Sequence, residues 1–411
     1  MKKRSLFLAC LLSALGAATQ LRAQQTPAPA QAPTTTAPAT TAPATAPAPD
    51  ATAPADAPKP DAKPEEKKAS RLNLDSRPIP LGGALKTPGL WQSYKSRFVT
   101  PQGRVVDTAN NNISHSEGQG YGMLLAVAAN DRATFDRIWG WTRANLMVRD
   151  DALLAWRWEP DKRPAISDIN NATDGDVLVA WALAEAADFW GDMSYRIVGR
   201  RIAAEFSRKL IMFRTTPEGI VLPGTSGFHA DDRVDGPVVN LSYYVFPAFS
   251  RMHLIAPEVD WPGVTAAGID ILDWTRKSDE TLPPDWISLK NGKATQPADG
   301  FPPQFAYNAV RIPLYLAWAG VGEREQYAPF MALVKRTRGS LAVVDVTNNQ
   351  EVTKFGDSGI GAIGALTACV VEGAKTPAQF LAPNPADNYY PATMHLLAVI
   401  AVQMRYPSCL H

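Results

Sequence analysis

Apolar residues recur with the three-to-four-residue period of a helix along most of the chain from about residue 87. Between the periodic segments, aromatic and polar residues collect in longer loops at 149–172, 214–239 and 278–303. Loops at helix starts on one face are the expected place for a cleft. The pattern predicts a mostly helical protein with candidate helices near 87–98, 117–129, 132–148, 174–190, 193–213, 240–255, 261–277, 304–319, 325–339, 359–372, 376–382 and 389–405.

The first 69 residues lack this pattern. Residues 1–23 carry three basic residues directly after Met1 and then a short apolar core, which predicts a cleavable signal peptide. Residues 24–69 consist mainly of Ala, Pro and Thr, and they predict a disordered linker because they cannot bury a core. We therefore expect one folded domain over 70–411 in a secreted or periplasmic protein. No stretch of the mature chain approaches the roughly 20 apolar residues of a membrane span.

Charge and composition exclude several classes of function. The formal net charge is +1 and no long basic run occurs, which argues against nucleic-acid binding. The five His residues lack metal-ligand spacing, so neither a metal nor a cofactor is expected. A Gly-x-Ser-x-Gly elbow and a phosphate-binding loop are both missing from the sequence. Cys369 and Cys409 could pair in an oxidising compartment, or Cys369 could be a buried free thiol.

A carboxylate lies at the start of one predicted helix, in the segment Ser114–Met123. Ser116 and Gln119 have the spacing of a capping box, and Glu117 falls in the first turn. Three glycines follow within the next five residues, at a cost of roughly 1 kcal/mol each in helix propensity, so something must approach this backbone closely. Glu117 is either a first-turn acid favoured by the helix dipole or a functional carboxylate.

A second carboxylate lies at another predicted helix start. Thr173 is a candidate N-cap with Asp176 three residues later, and Asp174 then occupies the first helical position. The positive helix end and its free amides are expected to favour the ionised form of Asp174. Two carboxylates facing a sugar are the equipment for glycosidic bond hydrolysis, one protonated to serve the leaving oxygen and the other ionised.

Both segments carry a family resemblance. Ser116–Met123 resembles the acid motif of glycoside hydrolase family 8, and Ala172–Trp190 resembles that family's signature, with Val179 where Ile or Met is usual. Shorter blocks that look familial are Trp156–Trp158, Asn240–Tyr243, Pro284–Trp286 and Tyr307–Arg311. The resemblance covers roughly residues 87 to 400. It implies an all-α (α/α)6 barrel of six helical hairpins and an inverting, endo-acting hydrolase of β-1,4-glucans, although some members cleave xylan or chitosan.

The resemblance also implies the residues of the site. Glu117 is the expected general acid and Asp174 the essential second carboxylate, which either activates water or holds the distorted sugar. The family often has its general base in a Tyr-Asp-Ala-x-Arg block, whereas this chain has Asn308 at the Asp position. Asn308 and Arg311 are then expected to position water and substrate, and Asp357 is a weaker candidate base. Flat sugar faces pack on aromatic rings, and the expected platforms are Tyr121, Trp156, Trp158, Tyr243 and Tyr307.

Two functions follow as hypotheses. The first is a secreted endo-β-1,4-glucanase that acts on a glucan polysaccharide, with a cellulose synthase complex as an expected partner. The second is a weakly active or inactive glucan-binding accessory protein, which Asn308 favours. Within the first hypothesis, xylan or chitosan could replace cellulose as the substrate.

Overall fold

The computed structural model describes Leu72, residues 74–213 and residues 219–410. The predicted signal peptide and linker lie outside these residues and stay predictions, as does the start of the domain at residue 70. The described residues form the α-helices α1 Leu90–Phe98, α2 Ser116–Ala128, α3 Arg132–Asn145, α4 Thr173–Trp190, α5 Met193–Leu210, α6 Phe246–Met252, α7 Trp261–Thr275, α8 Arg311–Ala319, α9 Arg324–Arg336, α10 Ser358–Glu372 and α11 Tyr389–Arg405.

Six of these helices form an inner ring. In spatial order they are α2, α4, α6, α8, α10 and α11, each packed on the next, and α11 returns to contact α2. The inner helices are buried on nearly every side, as in α4, where Thr173–Ala187 is buried without a break. A helix that is apolar all round belongs in a core. The ring confirms the predicted (α/α)6 barrel.

The outer helices have one buried face. In α5 the buried residues recur every three or four positions, from Tyr195 through Gly199 and Ile202 to Phe206 and Leu210. This is the amphipathic pattern of a helix that covers a core on one side only. The helices α3, α5, α7 and α9 each follow an inner helix in the chain, and α1 packs against α11.

One of the predicted helices is wrong, and two begin six or seven residues later than predicted. Residues 376–382 form only the 3-10 turn Ala378–Leu381, because Pro377 and Pro383 flank it and neither proline can donate a backbone hydrogen bond. The segment 240–255 starts with a 3-10 turn and becomes helical at Phe246, where Pro247 occupies the first turn. In the segment 304–319 the first two residues pair as a strand, and the helix begins at Arg311.

Short antiparallel strands hold the long loops at the helix-start end of the barrel, and periodicity could not predict them because most are two residues long. The pairing places Ser114 opposite Trp158 and lets the Ser116 amide donate to the Trp156 carbonyl at 3.0 Å. The strands are β1 Ser114–His115 with β2 Arg157–Trp158, β3 Ile211–Met212 with β4 Ile220–Val221, β5 Val238–Val239 with β6 Ile287–Ser288 and β7 Gln296–Pro297, and β8 Gln304–Phe305 with β9 Ala342–Asp345 and β10 Gln350–Lys354.

Cys369 and Cys409 form a disulfide, which decides between the two alternatives that the sequence left open. The bond joins α10 to the C-terminal 3-10 turn, and both cysteines are buried. Of the helices in the described part of the chain, none has the length and apolarity that crossing a membrane requires.

Candidate active site

A cleft of about 840 Å³ opens where α2, α4 and α8 begin. Seven of the nine predicted site residues line it, namely Glu117, Trp156, Asp174, Tyr243, Tyr307, Asn308 and Arg311. The other two, Tyr121 and Trp158, are not among its lining residues. The tertiary structure therefore brings together side chains that are separated by up to 194 positions in the sequence, as Glu117 and Arg311 are.

Arg311 is the centre of the site. Its guanidinium is 3% exposed and donates through Nη1 to a carboxylate oxygen of Glu117 and to Oδ2 of Asp174, the latter at 3.0 Å. Through Nη2 it donates to Oγ of Ser242 at 2.8 Å and to Oδ1 of Asn308 at 2.9 Å. Because arginine stays protonated and has a rigid fork of donors, it fixes all four groups at once.

The shared nitrogen also limits the separation of the two carboxylates. Oxygens that accept from one N–H-bearing nitrogen lie roughly 4–6 Å apart by ordinary hydrogen-bond geometry. An inverting pair needs roughly 6.5–9.5 Å to leave room for water. The geometry therefore favours the second of the two roles predicted for Asp174, which is to hold the sugar beside Glu117 and not to activate the water.

Asp174 differs from the sequence-based expectation in its protonation. It accepts from the Gly175 amide at 2.8 Å, as a first-turn acid should, but its side chain is 3% exposed. Burial, and next the negative charge of Glu117, raise the pKa of Asp174 to about 7. The desolvation of the carboxylate thus outweighs the helix end and Arg311. The carboxylate pair can consequently hold one proton near neutral pH, which is what an acid-catalysed cleavage needs.

The two helix starts meet because glycines remove the side chains between them. A Cβ on Gly120 would lie 2.6 Å from Cβ of Leu178, and one on Gly175 would lie 2.0 Å from Oγ of Ser116. The predicted close approach to the glycine-rich backbone is therefore confirmed: helix α4 approaches at Gly120, the Tyr389 hydroxyl at Gly118 and the Val105 side chain at Gly122. The contact with α4 sets the distance between Glu117 and Asp174.

Neither predicted capping box forms at these helix starts. The N-cap of α2 is His115, whose Nδ1 accepts from the Gly118 amide at 3.0 Å, while Gln119 is buried and contacts Val105 and Thr142. In α4, Thr173 is already the first helical residue, and the side chain of Asp176 accepts from the Leu154 amide at 2.8 Å. Gln119 and Asp176 instead bond to other parts of the fold. Such long-range contacts cannot be predicted from local spacing.

His115 is a cleft residue that the sequence analysis did not single out. Its Nε2 lies 3.6 Å from Asp107 and its Nδ1 lies 3.7 Å from Glu117. Burial lowers the pKa of His115, but the neighbouring carboxylates of Asp107 and Glu117 outweigh burial and raise it. Since Nδ1 accepts from Gly118, the proton of the neutral ring is on Nε2, toward Asp107. The feature of the sequence that could have identified His115 as a site residue is its position next to the acid motif.

Tyr121 and Trp158 do not have the sugar-stacking position predicted for them. Tyr121 is fully buried, and its hydroxyl meets that of Tyr315 below Arg311. Trp158 packs edge-on to Trp141 at a centroid distance of 5.5 Å, with Arg104 over its ring. Tyr121 faces the interior side of α2, whereas Trp158 is half-buried and its ring is covered by Trp141 and Arg104.

The aromatic walls of the cleft include rings that were missed. Trp156 lines the cleft as predicted, with Arg157 stacked on it at 4.6 Å and its Nε1 donating to Asp168 at 2.8 Å. On the other side Trp286 stacks on Phe301 at 4.6 Å and on Phe228 at 5.5 Å. Phe228 and Phe301 come from the long loops, where the sequence has no periodicity to indicate which ring faces the cleft.

Asp357 and Asp285 are further carboxylates at or near the cleft. Asp357 lines it at the N-cap of α10, and partial burial followed by the charge of Asp387 raises its pKa. Asp285 is 8% exposed, lies directly behind Asn308 and was not predicted as a site residue. The described residues contain no group of three His, Cys, Asp or Glu side chains that could hold a metal ion.

An aromatic-lined cleft in a helical barrel, with two carboxylates joined by one guanidinium on its floor, defines a glycoside hydrolase. The sequence profile of glycosyl hydrolases family 8 matches residues 83–404, and the chain belongs to that family.

Relatives agree with this assignment. The chain is 34% identical over 330 residues to an endoglucanase of Cellulomonas uda, covering 78% of this chain and 89% of that protein. A family 8 endoglucanase structure from Klebsiella pneumoniae matches with a TM-score of 0.68 at 34% identity, over 76% of this chain and 98% of the other. The endo-β-1,4-glucanase structure from Acetobacter xylinum matches with a TM-score of 0.69 at 32% identity, over 79% and 99%.

Gly175→Ala tests whether close helix packing sets the catalytic geometry. The new methyl group would lie 2.0 Å from Oγ of Ser116 and 2.8 Å from the amide nitrogen of Glu117, so α2 and α4 must separate. We expect a loss of about 1–3 kcal/mol in unfolding free energy from overpacking. Because the acid moves, we also expect kcat to fall by about 10–100-fold. Urea unfolding and reducing-end assays measure the two effects.

Gly140→Ala is the matched control, because a Cβ at Gly140 in α3 meets nothing within 4 Å. We expect it to leave kcat unchanged and to stabilise the helix by up to about 1 kcal/mol. If Gly175→Ala kept wild-type kcat, the helix contact would not set the position of Glu117.

Proposed function

We propose that this glycoside hydrolase is an endo-β-1,4-glucanase that cleaves internal bonds with inversion. The observation that carries the proposal is the arrangement of Glu117, Asp174 and Arg311 on the floor of the aromatic-lined cleft. The substrate class is supported by the Cellulomonas uda and Acetobacter xylinum relatives, which are endoglucanases. The cleft is flanked by aromatic rings on two sides, as a bound glucan segment requires.

The mechanism assigns one task to each group. Glu117 gives its proton to the bridging oxygen while the C–O bond breaks, and the bond electrons leave with that oxygen. Asp174 binds the sugar beside the scissile bond and, when ionised, stabilises positive charge on the ring. Arg311 keeps both carboxylates oriented. A water attacks from the opposite face of the ring.

Location and biological setting are part of the proposal. Disulfides persist in oxidising compartments, so the Cys369–Cys409 bond supports the secretion or periplasmic location predicted from residues 1–23. Trimming of nascent glucan beside a cellulose synthase complex is the proposed setting. The Ala-, Pro- and Thr-rich segment 24–69 has the composition of a spacer that would tether the enzyme there.

Asn308 favours a second candidate, a glucan-binding protein with little hydrolysis, because an amide by itself is a far weaker proton acceptor than a carboxylate. The purified wild-type chain distinguishes the two candidates. We expect it to release reducing ends from carboxymethylcellulose faster than from xylan or chitosan, with an early fall in viscosity from internal cuts. NMR of the first product is expected to show the α-anomer. Cellulose binding without any reducing ends would support the accessory protein and contradict the enzyme.

A further inference from the structure

Asp285 is a buried carboxylate that the mechanism above does not use. Its Oδ1 accepts from the amides of Ala306 at 2.9 Å and Ala309 at 2.8 Å. Its Oδ2 faces Asn308, which donates through its backbone amide at 3.3 Å and through Nδ2 at 3.2 Å. Asp285 is not among the residues that line the cleft, whereas Asn308 is. Asn308 therefore lies between the cleft and the Asp285 carboxylate.

The chemistry of its neighbours fixes the orientation of the Asn308 amide. Arg311 has only donors, so the oxygen Oδ1 faces its Nη2 at 2.9 Å. An ionised carboxylate only accepts, so Nδ2 faces Asp285. An amide oxygen has two lone pairs, and Arg311 uses one of them. The second is available to a water in the cleft.

Asn308 also lies at the right separation from the general acid. Glu117 accepts from Nη1 of Arg311, while Asn308 accepts from Nη2 of the same guanidinium. The Glu117 carboxylate and Oδ1 of Asn308 are therefore separated by two hydrogen bonds and by the distance between Nη1 and Nη2. Together these correspond to a separation of roughly 6–8 Å. Inverting enzymes hold their water between groups roughly 6.5–9.5 Å apart. Of these two acceptors on Arg311, Asn308 fits this range better than Asp174.

From this geometry we infer that Asp285 takes the proton of the attacking water through the amide of Asn308. The inference rests on the proposed inverting hydrolysis. As the water oxygen bonds to the anomeric carbon, one of its O–H bonds breaks and that proton goes to Oδ1. At the same time the proton on Nδ2 goes to Oδ2 of Asp285. Asn308 becomes the imidic acid tautomer and Asp285 becomes a neutral carboxylic acid.

The step balances and resets. The C–O bond electrons go to the bridging oxygen, which receives the Glu117 proton, so one water and one glycoside give two sugars. Asp285 then returns its proton to Nδ2, Oδ1 releases its proton to solvent, and solvent reprotonates Glu117. Asp285 is suited to accept a proton because burial raises its pKa, despite the amide hydrogen bonds that lower it. The Arg311 hydrogen bond polarises the amide and makes Nδ2–H a stronger donor.

Asp285→Asn tests the inference, because it keeps the size of the side chain but removes the acceptor. We expect kcat on carboxymethylcellulose to fall by about 100-fold or more, with KM changed by less than about threefold. Azide is anionic and attacks without losing a proton, so it should restore turnover and give a glycosyl azide. In the wild type, turnover in mixtures of H₂O and D₂O should curve strongly with deuterium fraction, because three protons move in one step, the two of the relay and that of Glu117.

The exchanged pair Asp285→Asn with Asn308→Asp separates proton transfer from folding. It restores the side-chain hydrogen bond with donor and acceptor reversed, and it places a carboxylate directly in the cleft. We expect kcat to return to at least the wild-type value, with a weaker curvature in deuterium fraction than the wild type because two protons move, that of the water and that of Glu117.

Asp387→Asn is the matched control. Asp387 is also buried and also accepts from a backbone amide and an asparagine Nδ2, those of Ser358 and Asn384, but it does not line the cleft. We expect it to lower the thermal midpoint and to leave kcat unchanged. The change in its thermal midpoint therefore measures how much stability is lost when such a buried carboxylate is removed at a position that transfers no proton.

The outcomes are distinguishable. A folded Asp285→Asn protein with kcat within about fivefold of wild type would overturn the relay. So would a slow variant that azide does not rescue, a deuterium dependence in the wild type that is no more curved than that of the exchanged pair, or an exchanged pair that folds without regaining activity. A wild-type chain that binds glucan and never hydrolyses it would instead refute the proposed function itself.

Discussion

Glu117→Gln is expected to lower kcat on carboxymethylcellulose by about 10²–10⁴-fold, the usual contribution of a general acid. Glutamine keeps the size of the side chain and an oxygen that can accept from Nη1 of Arg311, but it has no proton to give to the leaving sugar. The fold should be retained, since Glu117 is 19% exposed and its hydrogen bond is preserved. Reducing-end release and thermal unfolding measure the two properties on the same preparation.

A leaving group that needs no proton gives the sharper test of the role. On a cello-oligosaccharide carrying a dinitrophenyl group, Glu117→Gln is expected to approach wild-type rates because dinitrophenolate departs unaided. Asp270→Asn, on the exposed side of α7, is the control and should behave as wild type on both substrates. A variant at position 117 that still cleaved carboxymethylcellulose at more than about a tenth of the wild-type rate would remove Glu117 from the mechanism.

Arg311→Met should combine the loss of activity with a large loss of stability. The change leaves the Asp174 carboxylate buried without its cationic partner, and it removes the donors to Ser242 and Asn308. Breaking a buried ion pair from one side costs about 3–5 kcal/mol. The positive charge of Arg311 lowers the pKa of Asp174, so its removal should raise that pKa above about 7. We expect kcat to fall at least 100-fold, with the residual pH profile displaced upward.

Arg251→Met is the matched control for Arg311→Met. Arg251 is also buried and also joins two carboxylates, Glu185 at 2.6 Å and Asp188 at 2.8 Å, but it is not part of the cleft. We expect a comparable loss in unfolding free energy, measured in urea, and an unchanged kcat. If Arg311→Met kept its activity while losing stability, Arg311 would be a structural residue only.

Much of the fold was predictable because helix formation is largely local. The helices α2, α4, α5 and α11 begin and end within three residues of the predicted bounds. The period of the apolar residues, the acidic residues at helix starts and the positions of the glycines were sufficient to predict these bounds. The exceptions have local causes of another kind: Pro377 and Pro383 prevent a helix between them, and the two-residue strands are too short to leave a pattern.

The site was predictable as a set of residues and less so as a set of roles. Glu117, Asp174 and Arg311 were identified from motifs, and the structure places them in one hydrogen-bonded group. Tyr121, however, is buried under Arg311 because it lies on the interior face of α2. Which way a ring points depends on how the loop or helix packs, and sequence spacing carries no information about that. The same is true of Asp285, which is far from Asn308 in sequence.

By itself, the amino-acid sequence determined the helical class, the paired carboxylates at glycine-rich helix starts and the amide at position 308. Only the tertiary structure decided that Glu117 and Asp174 share one guanidinium nitrogen, that burial raises the pKa of Asp174 to about 7, and that Asp285 lies behind Asn308. The physical reason is that desolvation and charge–charge interactions depend on distance and burial. Those quantities arise when α2, α4 and α8 pack together, and no single segment of the chain specifies them.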